Sequence, residues 1–226
     1  MNKFHSYIFS IVFFITVLFS TLVLAGIIPN TPQGLVSSAE KILSKEFQKP
    51  SWRENGFPHY FYPTDNFEDF KLGVPSPRYH LKMEVIEKMD DASSFADALR
   101  FDVWEIPIYI GDEDEPRTMF RIRRNNSGNW WSPGNKIGGD PKHMCTARRK
   151  WPIEDGYRHA KIQFSNTDIF LIMLEKDGKL LFWDYQSNKT TGEEIFGLVR
   201  NEDGTWPVFS GDYLIGLVKR GEIPIR

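Results

Sequence analysis

The chain has 226 residues, with 28 Lys and Arg against 30 Asp and Glu and a formal charge of −2. That balance provides no basic field for wrapping nucleic acid, and 15% aromatic beside 26% charged residues excludes a low-complexity chain. One cysteine, Cys145, excludes an internal disulfide.

Lys3 precedes an apolar run from Tyr7 to Ala25 that is broken only by Ser10, Thr16, Ser20 and Thr21. The run is apolar on every face, which suits a membrane or its translocation machinery better than a soluble core. Two readings follow: a secretory signal cut after Ala25, at the small-residue exit Val23-Leu24-Ala25, or an uncleaved anchor over residues 7–28. Both put residues 29–226 outside the cytoplasm, because the cationic flank stays inside. That body is expected to be secreted or membrane-anchored, and to form one domain with a subdivision conceivable near residue 100.

Pro29, Pro32 and Gly34 mark a linker over residues 26–34. Ser37 or Ser38 then caps a helix to about Gln48, with Ala39, Ile42, Leu43 and Phe47 on one face. From Ser51 to Pro77 the chain is rich in aromatics and prolines without a period, which predicts an extended loop. Tyr79, Leu81, Met83 and Val85 alternate as a half-buried strand. A short helix is expected over Asp90–Arg100, capped by Asp91 or Ser93.

Trp104, Ile106, Ile108 and Ile110 share one face of a strong strand. The acidic turn Gly111–Pro116 leads to a return strand in which Phe120 and Ile122 oppose Arg121 and Arg123. Residues 132–160 are rich in Gly and Pro, with a short helix around His143–Lys150. Ile162 and Phe164 alternate again. Asp177-Gly178, set between Ile169–Leu174 and Leu180–Tyr185, is the strongest hairpin signal in the chain. Thr191 with Glu194 fits a capping box, although Ile195–Val199 suits a sheet equally. Near the C-terminus, Ser210 or Asp212 before Tyr213–Val218 favours a helix over a competing strand.

Met119–Trp130 and Ile195–Trp206 echo each other, sharing Phe, Arg, Asn, Gly and Trp. Either a strand–loop–hairpin unit is duplicated, or turns simply reuse the same residues; the second is favoured. Together these features predict an α+β fold: a mainly antiparallel twisted sheet with hairpins and short helices on one face.

No HExxH, G-x-S-x-G, Walker or G-x-G-x-x-G pattern occurs. His143, Cys145 and His159 are the soft ligands available for a metal, and Cys145 with a histidine is the available thiol nucleophile. The acidic tip Asp112–Glu115 lacks the glycine and terminal glutamate of a calcium loop. Trp52, Tyr60, Tyr62, Trp130 and Trp131 are the candidate ligand-stacking aromatics. The expectation is a non-catalytic binding module of the cell envelope, without cofactor. Its partner would be a surface polymer, a peptide or a membrane protein. The alternative is a small exported, hydrolase-like enzyme using Cys145 with a histidine, or a dispersed carboxylate site.

Overall fold

The computed structural model describes residues 26–48, 60–62, 64–133, 141–165, 169–185 and 196–223. The hydrophobic segment 1–25, Trp52, the Gly-rich stretch 134–140 and the Thr191–Glu194 pattern lie outside the described residues.

The protein is a mixed α+β structure with a mostly antiparallel sheet. The helices are α1 (Leu35–Phe47), α2 (Met83–Ile86), α3 (Lys142–Lys150) and α4 (Gly211–Lys219). The strands are β1 (Phe70–Leu72), β2 (Ser76–Leu81), β3 (Leu99–Ile110), β4 (Thr118–Arg124), β5 (Trp130–Trp131), β6 (Arg158–Phe164), β7 (Phe170–Lys176), β8 (Lys179–Asp184) and β9 (Val208–Ser210). Their order is β5-β4-β3-β2-β6-β7-β8-β9, with β1 also on β3. Two antiparallel meanders, β2 to β4 and β6 to β8, run outward from one central parallel pair, β2 and β6.

Alternation along the strands sorts the core into two faces. Tyr79 and Leu81 of β2, Ile162 and Phe164 of β6, and Leu171 and Met173 of β7 pack under α4. Trp104, Ile106, Phe120 and Ile122 lie under α1, on the same face through the Pro77–Trp104 pair. Ile172, Leu174 and Trp183 point the other way and meet Met144 and Ala147 of α3. Helices therefore cover both faces, not one as the sequence suggests, because β7 and β8 are apolar at successive positions and both sides need cover.

The β7–β8 hairpin forms as expected. Asp177 (φ 50°) and Gly178 (φ 73°) both take left-handed conformations, which a two-residue turn matching the strand twist requires. The C-terminal segment is a helix, with Ser210 Oγ accepting from the Tyr213 amide at 3.2 Å. Other elements shift. Met83 and Val85 belong to a helical turn, not to the preceding strand, and the expected 90–100 helix is a 3₁₀ segment over Ala92–Ala98, capped by Asp91. Helix α1 starts after Gly34, and Ser37 donates back to the Gly34 carbonyl instead of capping. Residues 26–28, read as the end of the hydrophobic segment or the start of a linker, join the body: Ile28 is 2% exposed within the main core.

Candidate functional site

The parallel pair holds register from Arg78–Lys161 to Leu81–Phe164. Upstream of that point β2 and β6 separate. Proline explains part of the opening, since Pro75 and Pro77 have no N–H to offer a neighbouring strand. The gap is a cavity of about 140 Å³. Ile28–Thr31 form one wall, Val74, Pro75 and Pro77 another, and Trp104, Tyr157, Arg158, His159 and Arg148 complete it. Val74 and Ile153 stand exposed at its rim, so the mouth is apolar.

The polar groups of this crevice are incompletely satisfied. Arg148 reaches over from α3 and donates to the Pro75 carbonyl at 3.2 Å and to Ser76 Oγ. Its Nε is buried without a partner, and among the described residues no carboxylate pairs with it. Burial lowers its pKa, while the nearby Cys145 and Tyr109 act in the opposite direction. His159, on β6, is 5% exposed, and neither ring nitrogen has a hydrogen-bond partner. Burial, followed by the field of Arg148, pushes its pKa down to about 4, so the ring is neutral at pH 7. The main chain of Trp151 and Ala147 comes near the ring and offsets part of that shift without completing a bond. Buried polar groups are nearly always paired, so three nitrogens without a hydrogen-bond partner, in two residues that line one cavity, are unusual.

A second charged group, on the same sheet face as His159, is built differently. Glu105, 2% exposed on β3, accepts from Arg121 Nε at 3.0 Å and Arg78 Nη1 at 3.2 Å, with Lys161 Nζ at 3.9 Å. Arg78 also holds Asp102, whose carboxylate lies 3.3 Å from His80 Nε2. Strands β4, β3, β2 and β6 each contribute to this network, and its cations meet carboxylates.

The residues singled out from the sequence do not converge. His143 stacks on Tyr185 with ring centroids 4.5 Å apart. Cys145 Sγ lies 3.4 Å from the Tyr109 hydroxyl, and burial together with that contact pushes the tyrosine pKa up to about 12. His159 lines the crevice. Among the described residues no group of three or more His, Cys, Asp or Glu side chains is placed to hold a metal, so His143, Cys145 and His159 do not assemble into one.

The aromatics are also dispersed. Tyr60 packs against the α1 core, and Arg117 covers the Tyr62 ring at 4.4 Å. Asp65 ties the two together, accepting from the Tyr62 amide at 2.6 Å and from Arg117 at 3.0 Å. Trp130 and Trp131, adjacent on β5, face opposite sides, under Arg124 and Arg123 respectively. The acidic tip is ion-paired: Asp112 with Lys71, Glu113 with Arg117, and Glu115 with Lys142 and Arg149.

The internal echo recurs in one part only. Arg124-Asn125 with Gly128 and Trp130, and Arg200-Asn201 with Gly204 and Trp206, close turns with the same backbone bonds. Each stacks its arginine on its tryptophan, at 4.7 and 4.4 Å. Residues 197–200 form no strand, whereas Arg124 ends β4, so the turn is repeated and the larger unit is not.

The sequence reading missed Arg148 and Arg158 as site residues. The available signal was a helix ending in Arg148-Arg149-Lys150 without an acidic residue in its turns, and the Pro75-Ser76-Pro77 start of β2. In comparisons with known proteins, no family model, no curated protein and no solved structure matches the chain.

Proposed function

We propose that the body beginning at Gly26 is an extracytoplasmic binding module, exported or membrane-anchored through residues 1–25, whose ligand enters the crevice between β2 and β6. The observation that carries this reading is a crevice lined by Arg148 and His159, two residues with buried nitrogens that lack a hydrogen-bond partner among the described residues. Leaving such a group unpaired costs ~1–3 kcal/mol, and a ligand acceptor recovers that loss. Arg148 lacks a carboxylate among the described residues, so an acidic group is the complement of that lining. Val74 and Ile153 suit an apolar body above it. A peptide or surface-polymer end carrying a carboxylate has both properties. A cavity of ~150 Å³ admits a benzene-sized group, which sets the scale of what enters.

The competing enzyme reading uses Cys145 with a histidine. Cys145 meets the Tyr109 hydroxyl, and an imidazole with a pKa of about 4 is a weak proton acceptor at neutral pH.

Titration with benzoate, benzamide and N-acetyl-phenylalanine, following the His159 ring signals by NMR, tests the proposal. The two acids should saturate the site, and benzamide should bind roughly tenfold more weakly or worse. Arg148→Met should abolish that preference. Val74→Trp, at the exposed rim, should block binding while leaving the melting temperature unchanged. If none of the three compounds shifts His159, the crevice is not the binding site.

A further inference from the structure

Glu175, on β7, is a carboxylate only 6% exposed, and its partners come from the first described residues of the chain. The Ile27 amide donates to Oε1 at 2.8 Å and the Ile28 amide to Oε2 at 2.9 Å. Arg158, opposite Glu175 on β6, donates from Nη1 to the Ile28 carbonyl at 2.9 Å. Gly26 is pressed into the same corner. A Cβ there would lie 2.7 Å from each Glu175 oxygen and 2.6 Å from Arg158 Nη1. Both neighbours are ends of flexible side chains, so a larger residue there would have to displace the Glu175 carboxylate and the Arg158 guanidinium. The Cα of Gly26 therefore lies against the ends of the Glu175 and Arg158 side chains.

We propose that the chain is cut between Ala25 and Gly26, and that the new α-ammonium of Gly26 docks on Glu175. The inference rests on the export reading. An export-associated endopeptidase adds water across the Ala25–Gly26 amide. Ala25 leaves with the new carboxylate, while Gly26 keeps the nitrogen and takes a proton as ammonium. Val23 and Ala25 supply the small residues such a peptidase reads at the third and first positions before the bond.

Three features of the corner favour a cut end over a continuing helix. Ile28 is committed to the core, and the Ile27 and Ile28 amides are committed to Glu175, so an apolar span cannot include residues 26–28. Gly26 follows directly on the small-residue exit. The charged and titratable groups facing the corner are Glu175, Arg158 and Tyr79, and Tyr79 is held neutral with its pKa pushed to about 12 by burial and then by the Glu175 charge. The segment so fixed continues into Ile28–Thr31, one wall of the crevice, so maturation also sets the shape of the binding site.

The test is made on the product exported from the full-length chain. N-terminal sequencing and intact mass should give a first residue of Gly26. After reductive ¹³C-methylation, its α-amine should titrate above the ordinary ~7.7–8.0. Glu175→Gln should return it to that range. An exported product that retains residues 1–25, or starts elsewhere, overturns the inference while leaving the export reading intact. A product starting at Gly26 whose amine titrates at the ordinary value overturns the docking. The wild-type titration decides even if Glu175→Gln fails to fold. A full-length chain that is never exported overturns both readings together.

Discussion

The same sheet holds two groups of buried charge, and they are built on opposite plans. Around Glu105, two carboxylates of β3 meet three cations, one each from β2, β4 and β6, within 2.6 to 3.9 Å. In the crevice, one guanidinium and one neutral imidazole sit in comparable burial with only a carbonyl and a hydroxyl between them. A paired network fixes strand register and leaves nothing for a ligand to gain. An unpaired one is held in place by the packing around it, and its unmet bonds are available to an incoming molecule. On the proposed reading, that contrast favours the crevice over the larger cluster of charges as the place where a ligand gains most.

Glu105→Ala is expected to give the largest effect. It removes the carboxylate that Arg78, Arg121 and Lys161 share. Breaking a buried pair from one side costs 3–5 kcal/mol, and the partial exposure of these cations puts the expected loss near the lower end, about 3 kcal/mol. Urea unfolding measures it. Arg148→Met should cost far less, because a desolvated cation is removed with no carboxylate orphaned. Equal losses for the two variants would erase the distinction between the regions.

His159 gives the next effect, and it depends on pH. Its folded pKa of about 4 lies below the ordinary 6.5. Between those values the unfolded chain carries the proton and the folded chain does not, so unfolding is favoured as pH falls. The stability is fully present above about pH 6.5, is lost progressively down to about pH 4, and changes no further below that on account of this residue. The full span is on the order of 3 kcal/mol. Denaturation midpoints at intervals from pH 7 to 4 should show the decline, and His159→Phe should flatten it. A carboxylate ligand in the crevice would raise the His159 pKa and narrow the window, linking the pH profile to occupancy of the site.

Much of the sheet was legible in the sequence because its signals are local. Asp177-Gly178 dictates a turn whatever surrounds it, and the alternation through Trp104–Ile110 needs one apolar face. The parallel β2–β6 pair was not legible. Its partners stand some eighty residues apart, and no residue type announces a parallel neighbour. The crevice depends on that pair, so it was hidden for the same reason. Tyr62 and Trp130 were prominent as aromatics, but composition could not reveal that Arg117 and Arg124 already lie on them. His159 was noticed as a metal ligand. Its surroundings, the Arg148 guanidinium and the main chain of Ala147 and Trp151, all come from the end of α3, and no sequence period shows that this helix end folds back over β6.

The smallest predicted effect tests whether the repeated turn is more than a turn. In the first copy Asn125 Oδ1 accepts from the amides of Ser127 and Asn129, at 3.0 and 2.9 Å. In the second copy Asp203 takes that part, accepting from the Thr205 amide at 2.9 Å. The turns are thus closed by different side chains, yet both place an arginine over a tryptophan across the loop. Turn chemistry alone does not require that stack. An exposed cation–π contact contributes ~0.5–1 kcal/mol, so Arg124→Ala and Arg200→Ala should each cost about that much, and by similar amounts. The tryptophans beneath differ in what they hold: Trp130 packs against the α1 core, while the Trp206 carbonyl receives Trp183 Nε1 at 3.0 Å. Double-mutant cycles with each Trp→Phe would isolate the stack from these other roles. Coupling in both copies would make the arginine–tryptophan pair a shared element of each turn. Coupling in neither would mean that the stacks add nothing to the hydrogen bonds that already close the loops.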